Sequence, residues 1–444
     1  MKLLLAVHHF PPAYTGGAEW EAYNTAQALR ADGHTVRILC VERIDRGAAP
    51  PGTLTWVDDT YDGLPVRRLI FDLSSAPDPE RWEFDNTWIG DHLRELLAEF
   101  QPDIFHLMGG YLITGRAVRV ARAAGVPVVV SLMDFWFLCR RLSLLRSDGQ
   151  LSTIPVNPAA CARCLGEEAR RYRWLGRLAP SLAQAFWDSR RDRTQLIADR
   201  QAFLNDSLNH ADALISRSQF LRQTFIQAGV APERLVFVRQ GRDFPGLTVA
   251  DPIPPAKPGL RIGYLGQVAA HKGVHVLLEA ARQLPDLPLA VRVYGGLQAF
   301  PEYVERLRRL AAGDARLHLA GPYQGQAALS KILRELDVIV VPSVWYENSP
   351  NVILEAFAHR VPVLVSNLGG MAELVNDGVD GLRFAPGDAA DLARCLRRLV
   401  EEPELLPRLR AGISPIKSVA EEMQELERVY QQVRQQHQSA PESA

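Results

Sequence analysis

The sequence has no excess of charge of either sign and few cysteines. Its 444 residues include 50 lysines and arginines against 51 aspartates and glutamates, which gives a formal charge of −1. A chain so close to neutrality has no overall field that would draw it to nucleic acid, so any anion must be bound locally. Five cysteines, an odd and sparse set, do not make the disulfide framework of a small secreted domain.

Long hydrophobic runs are absent too. The N-terminal run Lys2–Val7 has the length of a strand and is shorter than the apolar part of a secretion signal. No other stretch approaches the ~20 uninterrupted apolar residues of a membrane span. We therefore expect a cytoplasmic protein, with peripheral contact at the inner face of the membrane as the alternative.

Three familiar ligand motifs are missing. No G-x-G-x-x-G follows the first predicted strand and no Walker lysine motif occurs, which argues against a dinucleotide oxidoreductase and a P-loop enzyme. No Asp-x-Asp arrangement has the pattern of a metal site. We therefore expect neither a metal ion nor another cofactor.

Short apolar runs alternate with helical patterns along the chain, which predicts parallel sheets covered by helices. In the first half the predicted strands are Leu3–Val7, His34–Val41, Pro65–Phe71, Asp103–Leu107, Val126–Leu132, Ala213–Ser216 and Leu235–Val238. In the second half they are Arg261–Leu265, Leu289–Tyr294, Arg316–Ala320, Val338–Val341, Val361–Val365 and Gly381–Phe384. We therefore predict an α/β fold of two doubly wound Rossmann-like domains, whose ligands bind where the strands end and where the two sheets face each other across a cleft.

Chain length and one irregular segment define the predicted domains. With 47 % hydrophobic residues, 444 residues are expected to form two cores of roughly 200 residues each. The segment DFPGLTVADPIPPAKPG fits no regular element and marks the boundary between them. The predicted parts are a domain 1–242 with an insert near 135–206, a linker 243–259, a domain 260–418, a final helix 419–436 and a tail 437–444.

The stretch Trp345–Phe357 has the pattern of a loop running into a helix. A β-branched strand, Val338–Val341, precedes it, and Ser349–Asn351 reads as an N-cap followed by a proline in the first turn. The backbone N–H groups of Asn351 and Val352 would then lack an intrahelical acceptor and would point towards the preceding loop with the positive end of the helix dipole. An anion fits there.

Two carboxylates flank this helix start. Glu347 lies in the loop and Glu355 in the second turn, so both could face one bound ligand, and a sugar hydroxyl would suit either. Glu355 also belongs to a polar stripe with Asn351 and His359, which solvent exposure alone would produce. The pattern alone leaves both interpretations open.

Two other places could bring the chain close to a phosphate. Gly16 and Gly17 stand between the first strand and a helix, where they allow close approach to a ligand or simply form a turn that needs positive φ. Lys272, which follows Gln267 and precedes Gly273, could place a point charge on a phosphate. The alternative is an ordinary solvated lysine.

Several of these residues belong to motifs. The chain contains G-Q-x4-K-G at 266–273, E-N-S-P-N-V-I-L-E-A at 347–356 and G-G-x2-E at 369–373. Near the N-terminus it has F-P-P-x3-G-G-A-E, and V-x2-G-x-D occurs at 238–243. This set, with its E-x7-E spacing, resembles the retaining GT-B glycosyltransferases of the large family-four group (glycosyl transferases group 1), whose fold is two Rossmann-like domains facing across a cleft.

The resemblance implies roles for these residues. The first domain would serve the acceptor and the second would hold a nucleotide sugar. Glu347 and Asp134 would be the catalytic residues, with Glu347 contacting the transferred sugar. Glu355 would receive the ribose hydroxyls, and Lys272 would bind the diphosphate. The implied donor-binding residues are Gly16, Gly17, Gln267, Lys272, Ser349, Asn351, Val352 and Glu355.

At three positions the chain departs from the family pattern. Gln267 stands where an arginine commonly accompanies the lysine, which removes one positive charge from the phosphate site. Met133 replaces the histidine that usually precedes the aspartate corresponding to Asp134. Gln240 replaces an asparagine before the glycine at the linker.

The activity implied by the resemblance is that of a retaining glycosyltransferase of the hexosyltransferase type. It would move a sugar from a nucleotide sugar, a substrate and not a cofactor, to a glycan, polysaccharide or lipid-linked acceptor. The departing diphosphate would help to take the acceptor proton, and the protein would contribute mainly by stabilising the charge on that diphosphate. The alternatives are an epimerase or phosphorylase on the same fold, and a non-catalytic subunit that binds a nucleotide sugar.

The insert contains a possible zinc motif. Cys161 and Cys164 have the C-x2-C spacing, and Cys139 supplies a third thiol, but a closed structural zinc site needs four ligands. The resemblance implies a fuller cysteine set in relatives with a similar insert, and Ser152 would then stand where one cysteine is missing. Metal binding is therefore the weaker interpretation.

The rest of the insert interleaves arginines with aromatic residues, among them Tyr172, Trp174, Phe186 and Trp187. Such a segment could lie on an anionic membrane and present a lipid-linked acceptor. The alternative is a helical insert packed on its own domain.

Overall fold

In the computed structural model the described residues are 1–244 and 259–439, without the side chains of Arg170, Arg171, Leu175 and Arg177. They form two compact units, Met1–Arg239 with the chain from Val419 onwards, and Gln240–Ser418. Most of the predicted linker and the end of the predicted tail, 440–444, lie outside the described residues.

The first unit is built on an eight-stranded sheet with the order β3-β4-β2-β1-β5-β6-β7-β8. All neighbours are parallel except β3 and β4, which form an antiparallel hairpin. The strands are β1 (Lys2–Val7), β2 (Thr35–Arg43), β3 (Leu54–Tyr61), β4 (Leu64–Phe71), β5 (Ile104–Met108), β6 (Val128–Leu132), β7 (Ala213–Ser216) and β8 (Leu235–Phe237). The order reverses between β1 and β5, so the carboxyl ends of these two strands flank the place where ligands bind in such sheets.

Nine helices of the first unit precede the linker. They are α1 (Gly17–Ala31), α2 (Pro79–Trp82), α3 (Thr87–Phe100), α4 (Arg116–Ala123), α5 (Pro158–Gly166), α6 (Arg170–Leu178), α7 (Pro180–Ser189), α8 (Arg191–His210) and α9 (Gln219–Gln227). Helices α5–α7 and most of α8 lie in the predicted insert. The insert is therefore mainly helical, and α5 packs against α8 of its own unit.

The second unit has a six-stranded parallel sheet with the order β11-β10-β9-β12-β13-β14. Its strands are β9 (Leu260–Leu265), β10 (Leu289–Tyr294), β11 (Leu317–Gly321), β12 (Val338–Val341), β13 (Val363–Ser366) and β14 (Gly381–Phe384). Its helices are α10 (Val274–Arg282), α11 (Pro301–Ala311), α12 (Gly325–Arg334), α13 (Asn351–Ala358), α14 (Gly369–Leu374), α15 (Ala389–Glu401) and α16 (Leu405–Gly412). The order reverses between β9 and β12, which makes their carboxyl ends the expected ligand position of this sheet.

The last helix, α17 (Val419–Ser439), packs on the first unit although the second unit precedes it in sequence. Tyr430 is fully buried in the core of that unit, and its hydroxyl lies 2.6 Å from Nδ1 of His106 on β5. Burial lowers the pKa of His106 to about 3, so its ring is neutral and can take part in this contact without a buried charge. Glu422 on the same helix forms a 2.6 Å ion pair with the buried Arg217. Both contacts fix α17 to the sheet of the first unit.

The hairpin strand β3 is absent from the sequence prediction. Most of its residues are exposed, and it carries two adjacent aspartates, so it lacks the apolar run by which the other strands were predicted. Arginines of β4 hold it in place, with Arg67 2.7 Å from Asp58 and Arg68 2.9 Å from Asp59. Charged side chains are a common feature of edge strands.

None of the helices in residues 1–244 and 259–439 is long and apolar enough to cross a membrane.

Candidate functional site

The loops after β9 and β12 meet at the switch point of the second sheet. The backbone N–H of Val344 donates to the carbonyl oxygen of His271 over 2.9 Å, which ties the two loops together. Gly273 makes this approach possible, because a Cβ there would lie 1.8 Å from the carbonyl oxygen of Pro342. Gly273 also has φ of +70°, which favours glycine. Lys272 and Glu347 are carried by these two loops.

Glu347 accepts three hydrogen bonds at a single carboxylate oxygen, Oε1. The donors are Lys272 Nζ at 2.6 Å, Trp345 Nε1 at 2.8 Å and Ser343 Oγ at 2.9 Å. The backbone of Glu347 is fixed as well, since its carbonyl oxygen accepts from the N–H of Gly370 over 2.9 Å. These contacts hold one side of the carboxylate in place.

Lys272 is a paired, half-buried lysine, so the solvated-lysine interpretation is wrong. Its ammonium lies 4.8 Å from the centre of the Trp345 ring in addition to its bond with Glu347. Burial and the neighbouring ammonium lower the pKa of His271 to about 4, so Lys272 supplies the positive charge of this loop. Gln267 is exposed, and its backbone carbonyl oxygen accepts a hydrogen bond from the hydroxyl of Tyr264 over 2.6 Å.

Helix α13 begins one residue later than predicted. Pro350, and not Ser349, occupies the N-cap position, and no side chain caps the helix. Pro350 takes an extended conformation with ψ of 118°, so the first helical residue is Asn351. The N–H of Ile353 donates to the Pro350 carbonyl, whereas helix geometry leaves Asn351 and Val352 without an intrahelical acceptor.

Two buried polar atoms beside this helix start make no hydrogen bond. They are Oγ of Ser349 and Oδ1 of Asn351, which have no partner in the described part of the chain. Buried polar atoms in folded proteins are nearly always paired, and exceptions often mark functional positions. The helix start is therefore a ready position for a ligand.

Glu355 has a partner that the sequence analysis did not identify. Its Oε1 accepts from Nη2 of Arg242 over 2.9 Å, and Nε of Arg242 is buried without a partner among the described residues. Arg242 was visible only as the unspecified residue of V-x2-G-x-D, so nothing in that motif singled it out.

The polar stripe on α13 does not arise from exposure to solvent. His359 is buried, donates through Nδ1 to the Glu355 carbonyl over 2.7 Å, and has Nε2 2.9 Å from Oγ of Ser330. Asn351 and Glu355 are half-buried. The solvent-exposure interpretation of this stripe is therefore wrong.

In the first unit, Gly16 and Gly17 open helix α1 without positive φ, so the interpretation as a turn that needs positive φ is wrong. A Cβ on Gly16 would lie 2.5 Å from Oε2 of Glu19, so the glycine leaves room for that carboxylate. Burial favours the neutral form of Glu19, but its bonds with His8 and with its own backbone N–H outweigh burial and lower its pKa. The sequence did not identify His8 or Glu19 as site residues, although Glu19 is the last residue of the motif F-P-P-x3-G-G-A-E.

Asp134 and Met133 follow β6 in the first unit. Burial raises the pKa of Asp134, while the N–H of Trp136, which donates to it over 2.7 Å, and the nearby His8 act in the opposite direction. His8 follows β1, and its ring centre lies 5.7 Å from that of Tyr111, which follows β5. The structure therefore brings His8 and Asp134 together at the carboxyl edge of the first sheet. Lys272, Glu347, Glu355 and the α13 helix start all belong to the other unit.

Cys139, Cys161 and Cys164 line a cavity of only about 50 Å³ together with Ser152. Burial raises the pKa of the Cys161 thiol to about 12. No group of three or more histidines, cysteines, aspartates or glutamates in residues 1–244 and 259–439 is arranged to hold a metal ion. Zinc binding by these cysteines stays a prediction.

Comparison with known families matches both units. Residues 16–241 match the glycosyl transferase 4-like domain, and residues 259–402 match glycosyl transferases group 1. The chain belongs to this glycosyltransferase family. The glycosyltransferase is 32 % identical over 431 residues to a D-inositol 3-phosphate glycosyltransferase of Catenulispora acidiphila, covering 90 % of this chain and 88 % of that one. It is 25 % identical over 427 residues to the glycogen synthase of Mycobacterium tuberculosis, covering 91 % and 87 %.

Solved structures agree with the predicted fold. Sucrose-phosphate synthase of Thermosynechococcus elongatus superimposes with a TM-score of 0.66 at 18 % identity and covers 97 % of this chain and 98 % of its own. HepE of Anabaena, solved with UDP and glucose, gives a TM-score of 0.60 at 18 % identity and covers 97 % and 99 %. These likenesses, together with the two sheets, confirm the GT-B class of two Rossmann-like domains.

Gly273→Ala is expected to disturb the junction of the two loops. Gly325→Ala is the reference variant, because Gly325 also has positive φ, at +76°. Each substitution should cost about 1 kcal/mol of stability for placing a side chain at positive φ. At Gly325 an added Cβ meets nothing within 4 Å, whereas at Gly273 it meets the Pro342 carbonyl. Relief of that clash should cost roughly 1–3 kcal/mol more.

The measurement is the free energy of unfolding by urea denaturation of the two variants. Equal destabilisation by Gly273→Ala and Gly325→Ala would show that the contact between the two loops is not tight.

Proposed function

We propose that the glycosyltransferase moves a sugar from a nucleotide sugar to a hydroxyl of a glycan, polysaccharide or lipid-linked acceptor, with retention at the anomeric carbon. The observation that carries this proposal is the Lys272–Glu347 pair beside the start of α13, where two buried polar atoms have no partner in the described residues. A cation, a helix start and a carboxylate at one switch point suit a diphosphate joined to a sugar.

The diphosphate is placed between Lys272 and the amides of Asn351 and Val352. An ammonium group has three N–H donors, so its bond with Glu347 leaves capacity for phosphate oxygens. The positive end of the α13 dipole adds to this charge. Ser349 Oγ lies at the same helix start and would find its missing partner in the ligand. The family pattern has an arginine at the position of Gln267. The helix start and Lys272 would together supply part of the positive charge that this arginine gives to the phosphate site.

Glu355 is assigned to the ribose hydroxyls. A carboxylate has about four acceptor positions, and the bond from Arg242 uses only one of them. Two neighbouring hydroxyls can therefore donate to Glu355 while Arg242 keeps its charge balanced. Without Arg242 the half-buried carboxylate would lose its cationic partner.

Glu347 is assigned to the transferred sugar. Its Oε1 is held by three donors, which leaves Oε2 to receive sugar hydroxyls. The negative carboxylate would favour positive charge developing on the sugar ring, while Lys272 favours negative charge on the leaving diphosphate. Asp134 of the first unit is proposed as a second residue that contacts the sugar. No metal ion is needed in this scheme, because lysine and helix start supply the charge.

A nucleotide sugar should raise the melting temperature of the protein, since a ligand of the folded state stabilises by RT ln(1 + [L]/Kd). Solved relatives with this fold were crystallised with UDP or with ADP, so UDP-, GDP-, ADP- and dTDP-glucose are the probes to compare. Lys272→Ala and Glu355→Ala should each weaken binding of the best probe roughly 10- to 100-fold, the loss expected for a hydrogen bond to a charged group.

The matched controls are Lys331→Ala and Glu305→Ala, which remove the same charges from exposed positions of the same unit. They should leave the thermal shift unchanged. If Lys272→Ala and Glu355→Ala also leave it unchanged, the site assignment is wrong.

Transfer itself should give a new glycosidic bond with the anomeric configuration of the donor. The test is proton NMR of the product after incubation with the best donor and acceptor in the presence of EDTA, because catalysis is proposed to need no metal. An inverted product would contradict retention. Loss of transfer that Mg²⁺ restores would contradict metal independence, and a changed sugar without an acceptor would indicate an epimerase.

Peripheral contact with a membrane is proposed from the insert. Trp174 and Leu178, one helical turn apart on α6, have 67 % and 63 % of their surface exposed, and Leu182 on α7 has 67 %. Large apolar side chains exposed together, with arginines such as Arg173 beside them, suit the interface of an anionic membrane. An acceptor carried on a lipid would then be held near the first unit.

Leu178→Glu should reduce binding to vesicles that contain phosphatidylserine, measured by sedimentation at low salt. Val379→Glu is the control, because Val379 is an apolar residue with 50 % exposure in the second unit. If the unaltered protein stays in the supernatant at low salt, or if both variants lose binding equally, the membrane proposal fails.

A further inference from the structure

A cavity of the first unit is lined mainly by residues of the insert. Its volume is about 590 Å³, within the range typical of small-molecule sites and far above the space beside the cysteines. Its walls come from the segment around α2, the loops after β5 and β6, and helices α5–α8. The insert therefore supplies most of the cavity lining, and Glu80, Glu83 and Tyr111 supply the rest.

One wall of the cavity is aromatic. Tyr172 stacks on Phe186 with ring centres 5.8 Å apart and an angle of 22°, and Trp187 meets the Tyr172 ring at 5.4 Å and 70°. Gly166 makes room for Trp187, since a Cβ there would lie 1.9 Å from that ring. One face of a sugar ring presents C–H groups, whose hydrogens carry a small positive charge. The negative face of an aromatic ring attracts these hydrogens.

The lining of the cavity also carries charges of both signs in pairs. Arg140 pairs with Glu83, Arg141 pairs with Glu168 at 2.9 Å, and Arg193 pairs with Glu80. The remaining guanidinium group of the lining, that of Arg190, lies 3.5 Å from Asp192 and 5.8 Å from the centre of the Phe186 ring.

The paired charges select a neutral, hydroxyl-rich ligand. A wall on which every named cation has a carboxylate beside it offers little to a phosphate. A carboxylate can instead accept hydrogen bonds from two neighbouring sugar hydroxyls, and a guanidinium group can donate two parallel hydrogen bonds to them. Burial raises the pKa of Glu83, because water has limited access to its carboxylate. Hydroxyl groups of a ligand would donate the hydrogen bonds that water does not supply.

The cavity adjoins the carboxyl edge of the first sheet. Tyr111, which follows β5, lines the cavity, and its ring contacts that of His8 after β1. These are the two strands between which the strand order reverses. A ligand in the cavity therefore has one end close to the carboxyl edge of the sheet, where Asp134 also lies.

We propose that this cavity binds the sugar chain of the acceptor, a neutral oligosaccharide, with its growing end towards Tyr111. The inference rests on the proposed function, since it names the acceptor class for the same transfer. The aromatic wall takes the faces of the sugar rings, and the paired arginines and glutamates take their hydroxyls.

The test is saturation-transfer NMR of the full chain with four probes: maltotriose, cellotriose, mannotriose and chitotriose. At least one should receive saturation from the protein. Tyr172→Ala, which removes a stacking ring, should weaken that binding roughly two- to tenfold. Glu83→Gln, which keeps the shape of the wall, should weaken it as well.

The control is Trp174→Ala, an aromatic residue of the same helix that is exposed and does not line the cavity. Absence of saturation transfer to all four probes, or equal loss in Trp174→Ala and Tyr172→Ala, would overturn the inference. The nucleotide-sugar thermal shift, measured on the same samples, separates the two proposals. If the donor shift is normal while the sugars fail, only the acceptor inference falls, whereas loss of the donor shift from the unaltered protein removes the proposed function.

Discussion

The ion pair between Lys272 and Glu347 is the contact on which the candidate site depends. Two ions withdrawn from water are stable only with good geometry and further hydrogen bonds, and here Ser343 and Trp345 supply those bonds. The geometry in turn needs the close approach of two loops that Gly273 allows. Gly273, which has no side chain, thus allows Lys272 and Glu347 to pair at the end of the sheet.

Both carboxylates of the site are balanced by a cation in the ligand-free protein. Glu347 has Lys272 and Glu355 has Arg242, so neither is left as an uncompensated half-buried charge. A diphosphate would bring more negative charge to this region, and the first-turn amides of α13 can accept it without any rearrangement of these pairs. The two ion pairs and the uncapped helix start would together bind such a ligand without a change in these contacts.

The sequence predicted what depends on local pattern and missed what depends on partners distant in the chain. Strands such as Leu289–Tyr294 and Gly381–Phe384 were predicted with their observed bounds, because each is a short, largely apolar run with clear breaks. Strand β3 was missed because its aspartates are stabilised by arginines of β4 and not by an apolar face. Arg242 was missed because its partner Glu355 lies 113 residues further along the chain. No local pattern records such a pairing.

The two helix starts identified in the sequence are not equivalent as phosphate sites. At α1 the carboxylate of Glu19 folds back beside Gly16 and bonds to its own backbone N–H, so a negative group already occupies the positive end of that dipole. A phosphate there would have to displace Glu19 and leave His8 without its partner. At α13 no side chain caps the helix, and Asn351 keeps an unpaired buried oxygen among the described residues. Electrostatics therefore favour α13 over α1 as the position of a phosphate.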